Sequence, residues 1–343
     1  MDVELRAFLR DAGASNEDLA RAEAEGWLPL LVLDRILTPG RPQYDPVSFA
    51  QISGLDEPLL QRLWRALGFP DVPPDARVFT ERDLRAARRL VERAGTDALD
   101  MHELVQQIQV VSAAMARVAS IEADAIVRVI ERLRDAGMAS EAIAKQLAGS
   151  FHWDDLAGLI DYEHRLQLRS AIWVRGALQA SPDLAIGVGF ADLAGFTRTT
   201  EQLGADEISA LVARWEDVAY DTVVGQGGRV VKTIGDEVMF VGLPRAVADV
   251  ALALRDLAAG DPRLLLVRAG VAAGPVVVRG GDVYGPVVNL ASRLTDLASS
   301  GMVLAPAALR DELTGERFVW EPQGVRRIRG IGDIETFALE RAG

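Results

Sequence analysis

Asp192, in Phe190-Ala191-Asp192-Leu193-Ala194-Gly195-Phe196-Thr197, and Asp236, in Lys232-Thr233-Ile234-Gly235-Asp236-Glu237, each border a run of apolar and β-branched residues close to a glycine. That setting predicts carboxylates at the rim of a sheet, where they can clamp magnesium and a polyphosphate. Singly, each has a plainer reading: an aspartate before Leu-Ala-Gly is also a turn former or helix cap, and Ile-Gly-Asp also suits a tight hairpin. Together they say more, because two carboxylates at neighbouring strand ends repel unless a cation lies between them.

Other residues fit the same chemistry. Lys232 sits among Val230, Val231 and Ile234, either as a solvent-facing lysine of an alternating strand or as a donor to a ligand. Asp282, in Gly280-Gly281-Asp282-Val283-Tyr284-Gly285-Pro286, is a loop aspartate or an acceptor. Asn289 and Arg293 are four apart on a predicted helix, so both project from one face, while Val287, Val288, Leu290, Ala291 and Leu294 around them are apolar.

The elements that must carry these residues change character along the chain. Residues 1–150 read as helices at 3–12, 16–25, 28–37, 49–53, 57–67, 81–94, 98–136 and 140–148, with apolar residues at spacings of three and four, as in Leu59, Leu60, Leu63, Trp64 and Leu67. A linker helix is predicted within 151–181, from Asp154 to about Gln179, ended by Pro182. After it, over 182–343, strands and helices alternate: strand 185–191, helix 205–224, strands 229–233 and 237–242, helix 244–259, strands 264–273 and 275–279, helix 287–298 and strand 302–304. Strand, helix, hairpin, helix, strand is the βαββαβ order of a ferredoxin-like core, here with extra strands after it. The fold class is α+β, preceded by an all-α domain.

Composition narrows the function classes. The 343 residues suffice for two domains. With no cysteine and only His102, His152 and His164, thiolate chemistry and histidine-rich metal centres are excluded. A net charge of −13 argues against nucleic acid as a partner. No apolar run reaches the ~20 residues of a membrane span and no signal-peptide order opens the chain, so a cytoplasmic protein is expected.

Residues 185–340 resemble a class III nucleotidyl cyclase catalytic domain. Four ordered segments carry the resemblance: 190–197, 232–236, 282–293, and Arg329-Gly330-Ile331-Gly332-Asp333. It implies that Asp192 and Asp236 hold two Mg²⁺ or Mn²⁺ ions per site. It also implies that Lys232 and Asp282 read adenine, that Asn289 orients the ribose, and that Arg293 offsets charge on the α-phosphate. Arg268 and Arg329 match phosphate-binding positions, the second with arginine where the family more often has lysine. The implied reaction is ATP to 3′,5′-cyclic AMP and pyrophosphate, at sites shared between the two chains of a homodimer. Guanylyl cyclase is the runner-up within the class; a nucleotide sensor without turnover and a DNA-binding regulator are alternatives outside it.

The helical half is similar to the regulatory region of the mycobacterial pH-sensing soluble adenylyl cyclases, through 54–55, 63–70 and 79–84. The same phrases are similar to the helix-turn-helix of MerR-type regulators, which the acidic charge disfavours. The first resemblance implies activation by acid, with His152 and His164 as candidate switches, and a possible fatty acid lined by helix 98–136.

Overall fold

The computed structural model describes residues 1–94, 100–150, 153–180, 185–315 and 317–342. The chain divides into two units, Met1–Ser170 and Ala171–Gly343.

The first unit is helical: α1 (Val3–Asp11), α2 (Asn16–Glu25), α3 (Leu28–Leu37), α4 (Pro46–Ser53), α5 (Glu57–Ala66), α6 (Glu81–Ala94), α7 (Met101–Asp135), α8 (Ser140–Ser150) and the first part of α9 (Trp153–Ala180). Local chemistry sets the helix ends. Helix α4 starts at Pro46, three residues before the expected 49, because the Asp45 side chain accepts from the Ser48 amide and proline suits the first turn. Helix α7 starts at Met101, not 98, because Asp100 and Glu103 form a reciprocal capping box.

Two small cores form in this unit. Leu9, Val32, Ile143 and Leu147 pack with Ile130 near the end of α7, while Phe49, Leu60, Leu63, Phe79 and Leu84 pack with Val105 near its start. Helix α7, 35 residues and so about 52 Å long, spans from one core to the other. Its middle carries Val110, Val111, Met115, Val118 and Ile121 exposed.

The second unit holds β1 (Ile186–Leu193), α10 (Phe196–Thr200), α11 (Ala205–Gly225), β2 (Arg229–Ile234), β3 (Glu237–Gly242), α12 (Pro244–Gly260), β4 (Val267–Gly274), β5 (Val277–Arg279), β6 (Asp282–Tyr284), α13 (Pro286–Leu297), β7 (Val303–Pro306), α14 (Ala307–Glu312), β8 (Phe318–Ile328) and β9 (Gly332–Arg341). Its main sheet runs β2-β3-β1-β4-β7-β9-β8, with β5-β6 as a separate two-stranded ribbon. The part β2-β3-β1-β4, with α11 and α12, is the ferredoxin-like core read from the sequence; β7, β9 and β8 extend it past β4.

Alternation along the strands sorts residues between the two faces. Ala191, Leu193, Val238, Phe240, Val267 and Ala269 join Trp215 of α11 and Leu252 of α12 in one core. Val188, Phe190, Met239, Val241 and Ala272 face Val287 and Ala291 of α13 on the other side. Asp192 continues that second row.

Candidate active site

On the α13 face, Asp192 at the end of β1 stands in register with Glu237 of β3 on one side and Arg268 of β4 on the other. Directly opposed residues of antiparallel strands share a face, so three charged side chains line up across three strands. Asp192 is buried to 9% exposure. Its Oδ2 accepts from Arg268 Nε at 2.7 Å and Nη2 at 2.5 Å. Arg268 also donates to the Asp296 carbonyl oxygen at 3.4 Å.

Asp236 joins this row from the β2–β3 turn. Ile234 pairs with Glu237, leaving Gly235 and Asp236 as a two-residue hairpin loop, and Gly235 at φ 64° supplies the left-handed position that such a turn requires. Burial, then the hydrogen bond and charge of Asp192, push the Asp236 carboxyl up to about 7. Glu237 is raised too, by burial and then by the charges of Asp192 and Asp296. Among the described residues, Arg268 on Asp192 and Arg293 on Asp296 are the cations bonded to the carboxylates of Asp192, Asp236, Glu237 and Asp296, so the local charge favours an added cation.

Lys232 reaches its position through a β-bulge. Val230 pairs with Phe240, but Lys232 pairs with Met239, leaving Val231 as the extra residue. Without the bulge, Lys232 would oppose Val238 and point into the α11/α12 core; with it, Lys232 turns to the face of Asp192. There its Nζ donates to Asp282 Oδ2 at 2.6 Å. Asp282 opens β6 after a hairpin turn in which Gly280 and Gly281 have φ of 59° and 84°, and its Oδ1 accepts from the Val283 amide at 2.8 Å. Burial alone would raise this carboxyl, but the Lys232 and Val283 hydrogen bonds outweigh it and leave its pKa lowered.

Helix α13 presents Asn289 and Arg293 outward. Its opposite side lies so close to β4 that a Cβ on Gly270 would sit 2.3 Å from the Ala291 carbonyl oxygen and the Thr295 amide. Only glycine fits there. The buried Thr295 hydroxyl donates to the Phe190 carbonyl oxygen at 3.2 Å, tying the helix to β1. Asn289 and Arg293 are both exposed, and Arg293 pairs with Asp296 at 3.3 Å.

Residues 178–341 match the adenylate and guanylate cyclase catalytic domain family, and residues 2–171 match the adenylate cyclase regulatory domain family. The adenylate cyclase of Streptomyces coelicolor is 31% identical over 342 residues, covering 91% of this chain and 89% of that protein. This chain belongs to the adenylate cyclase family of enzymes. The pH-sensitive adenylate cyclase of Mycobacterium tuberculosis is 33% identical, covering 91% of this chain and 82% of that protein. The adenylate cyclase of Glutamicibacter nicotianae is 31% identical, covering 90% and 81%.

Cyclase domains of this family use divalent metal ions. Among the described residues no three Asp, Glu or His side chains form a ready-made cage. The Asp192–Asp236 pair still suits magnesium or manganese, because such ions keep waters and are held by one or two carboxylates together with substrate phosphates.

The cyclase chain brings some expected site residues together and leaves others apart. Asp192, Asp236 and Arg268 meet, as do Lys232 and Asp282. Among the described residues no direct bond joins Asn289 or Arg293 to Asp192 or Asp236. Arg329 is exposed in the β8–β9 turn, on strands beyond β4 and β7 in the sheet order. His164 is exposed on α9, and His152 lies outside the described residues. No helix among the described residues is long and apolar enough to cross a membrane.

Sequence reasoning did not single out Glu237, Asp296 or Arg229. Glu237 had a signal, standing beside Asp236 at a strand start. Asp296 continues the Asn289, Arg293 stripe at the next helical spacing.

Proposed function

We propose that this enzyme converts ATP to 3′,5′-cyclic AMP and pyrophosphate at two sites shared between the chains of a homodimer. The observation that supports this reading most is the 2.6 Å Lys232–Asp282 pair on the face that also carries the Asp192–Asp236 carboxylates. Lys232 donates to adenine N1 while Asp282, which keeps acceptor capacity, takes a hydrogen from the N6 amino group. Asn289 orients the ribose, and Arg293 stabilises charge growing on the α-phosphate as the 3′-oxygen attacks and pyrophosphate leaves. Asp192 and Asp236 would hold two divalent ions, which when bound would supply Lewis acidity toward the 3′-hydroxyl and offset phosphate charge. Arg268, engaged with Asp192 in the free chain, turns to the phosphates when its carboxylate partner is occupied, and Arg329 contributes a second phosphate contact.

The homodimer gains support from α7. Leu104, Ile108, Val111, Met115, Val118, Glu122, Ala125 and Val129 recur at alternating spacings of four and three, the seam of a coiled coil. Val111 and Met115 within that seam are 53% and 42% exposed. A second copy of α7 would cover them. The fatty-acid expectation gains no such support: a cleft of about 330 Å³ on α7 is lined by Arg128, Glu131, Arg132 and Asp135, which suits no acyl chain.

Purified protein given ATP or GTP with Mg²⁺ or Mn²⁺, from mildly acidic to mildly alkaline pH, tests the reaction. Cyclic AMP should accumulate and cyclic GMP should not. Absence of product from ATP under every condition would overturn the reading.

The metal pair has its own pH signature. Asp236, raised to about 7, holds a proton below that pH in the metal-free chain, and a divalent ion must displace it. Mn²⁺ affinity, read from thermal stabilisation without nucleotide, should therefore rise with pH through about 7 and level off above it. An affinity independent of pH across that window would place the ion elsewhere.

Acid weakens that site, so acid activation must come from the regulatory half. We assign it to His152 and His164, because histidine is the residue type whose charge ordinarily changes near neutral pH. The double substitution His152→Ala/His164→Ala should flatten the acid side of the pH–activity profile; an unchanged profile rules the assignment out.

A further inference from the structure

The ribbon that carries Asp282 has little to hold it in place. Strands β5 and β6 pair only with each other, outside the seven-stranded sheet. A lone hairpin is marginal in water, so the position of Asp282 depends on tethers. Val283 is buried among residues of the α13 face. Among the described residues, two side-chain hydrogen bonds run from β2 to this ribbon: Lys232 to Asp282 at 2.6 Å, and Arg229 Nη1 to the Gly281 carbonyl oxygen at 3.5 Å.

The bulge makes this pairing possible. Residues three apart in a regular strand point to opposite faces. Arg229 is in register with Val241, and Lys232, after the extra residue, with Met239, so both face the same side. Lys232 then pairs directly with Asp282, while Arg229, bonded to the neighbouring Gly281 carbonyl oxygen, adds a second positive charge close enough to feel that carboxylate. Partial desolvation of the guanidinium pulls Arg229 below its ordinary pKa while the charge of Asp282 opposes that change. Arginine stays charged under any working condition.

We propose that Arg229 is a positioning residue for base selection: it ties the turn before Asp282 to β2 and adds positive charge near that carboxylate. The proposal rests on the reading of Lys232 and Asp282 as base contacts. Its chemical logic lies in what Asp282 must be. An ionised carboxylate only accepts hydrogens, matching the N6 amino group of adenine and rejecting the O6 carbonyl of guanine. A carboxyl that drifts, or that protonates as the arriving base excludes water, loses that contrast. Lys232 alone would have to hold the ribbon, balance Asp282 and donate to the base. Arg229 takes over the first task and part of the second, freeing lysine hydrogens for the nucleotide.

The test is steady-state kinetics with ATP and GTP on the full chain carrying Arg229→Met, which keeps length and packing but removes charge and donors. KM for ATP should rise about tenfold and the ATP-over-GTP preference should fall by a similar factor, the size of one lost charge-assisted hydrogen bond. The loss should fall on KM more than on kcat. Arg229→Lys should recover much of the preference by restoring the charge, which a purely structural role of the arginine fork would not predict. If Arg229→Met fails to fold, Arg229→Gln takes its place. Asp282→Asn, measured in parallel, separates the two claims. If Asp282→Asn shifts the base preference and the Arg229 variants do not, the role of Arg229 is wrong. If Asp282→Asn leaves the preference intact, the base-reading assignment fails, and this proposal with it.

Discussion

Asp236→Ala and Arg293→Ala chains, each inactive as a homodimer, should recover about a quarter of wild-type cyclic AMP production when co-expressed in equal amounts. The expectation follows from where the chain leaves its site residues. Asp236, in the β2–β3 turn, lies beside Asp192, which in turn is bonded to Arg268, whereas Arg293 faces outward from α13. If each active site takes its carboxylates from one chain and its arginine from the other, an Asp236→Ala homodimer lacks a metal ligand in both sites. An Arg293→Ala homodimer lacks the transition-state arginine in both. In the mixed dimer one site combines the two defects and the other has neither. Random pairing makes half the dimers mixed, each with one live site of two, hence the quarter.

The single defects should be severe. Removing a donor aimed at transition-state charge typically costs about 10²- to 10³-fold in kcat, and loss of a metal carboxylate beside a buried partner should cost at least as much. Recovery in the mixture is thus easily seen above either parent. If the site were built within one chain, every chain in the mixture would carry a defect in its own site, and no recovery would occur. Cyclic AMP formation no higher than the parents, with mixed dimers demonstrated by differential tags, would sink the shared-site reading.

Part of this architecture was legible in the sequence because its signals are local. The spacing of Leu59, Leu60 and Leu63 and the breaks at proline and glycine placed α1 to α3, α5 and α6 within a residue or so at each end. Helix α4 begins ahead of the apolar spacing that predicts it, because Asp45 caps it and Pro46 occupies its first turn. The ferredoxin-like order followed from strand and helix lengths alone. Strands β8 and β9 were anticipated only as extra strands, since Pro322 and Gly324 interrupt β8 at a register shift and its exposed residues blur the alternation.

The candidate site was legible in its residue types but not in their pairings. Lys232 is legible in the sequence as a solvent-facing lysine or a ligand donor, but the bulge that sets its face lies between Val230 and Lys232 and leaves no trace in residue type. The Arg268–Asp192 bond joins residues far apart in sequence, and only the β1–β4 register brings them together. Nothing in the sequence around Gly270 requires a glycine there. Its necessity comes from the approach of the α13 backbone, a tertiary fact.

The pairing of Lys232 with Asp282 leads to the second large effect. Changing Lys232→Glu together with Asp282→Asn should turn an enzyme selective for ATP into one that prefers GTP. Adenine offers an acceptor at N1 and a donor at N6; guanine offers a donor at N1 and an acceptor at O6. The double substitution inverts both partners while changing little in shape, since asparagine matches aspartate in size and its oxygen can still accept from the Val283 amide. Either change alone should do worse. Lys232→Glu by itself would set a second carboxylate against Asp282, where 2.6 Å now separates a cation from an anion, and one of the two would take up a proton or swing away. In the double variant, Arg229 still supplies a positive charge on the same side of β2 as the new glutamate, which offsets part of the lost lysine charge. Sites that read bases by hydrogen bonds reject mismatched analogues by up to about 10⁴- to 10⁵-fold, so even a partial inversion should move the GTP-to-ATP ratio of kcat/KM by about a hundredfold or more. A double variant that folds, retains measurable cyclase activity and still prefers ATP would show that the base is recognised elsewhere, and that the lysine–aspartate pair serves only to pin the β5–β6 ribbon to β2.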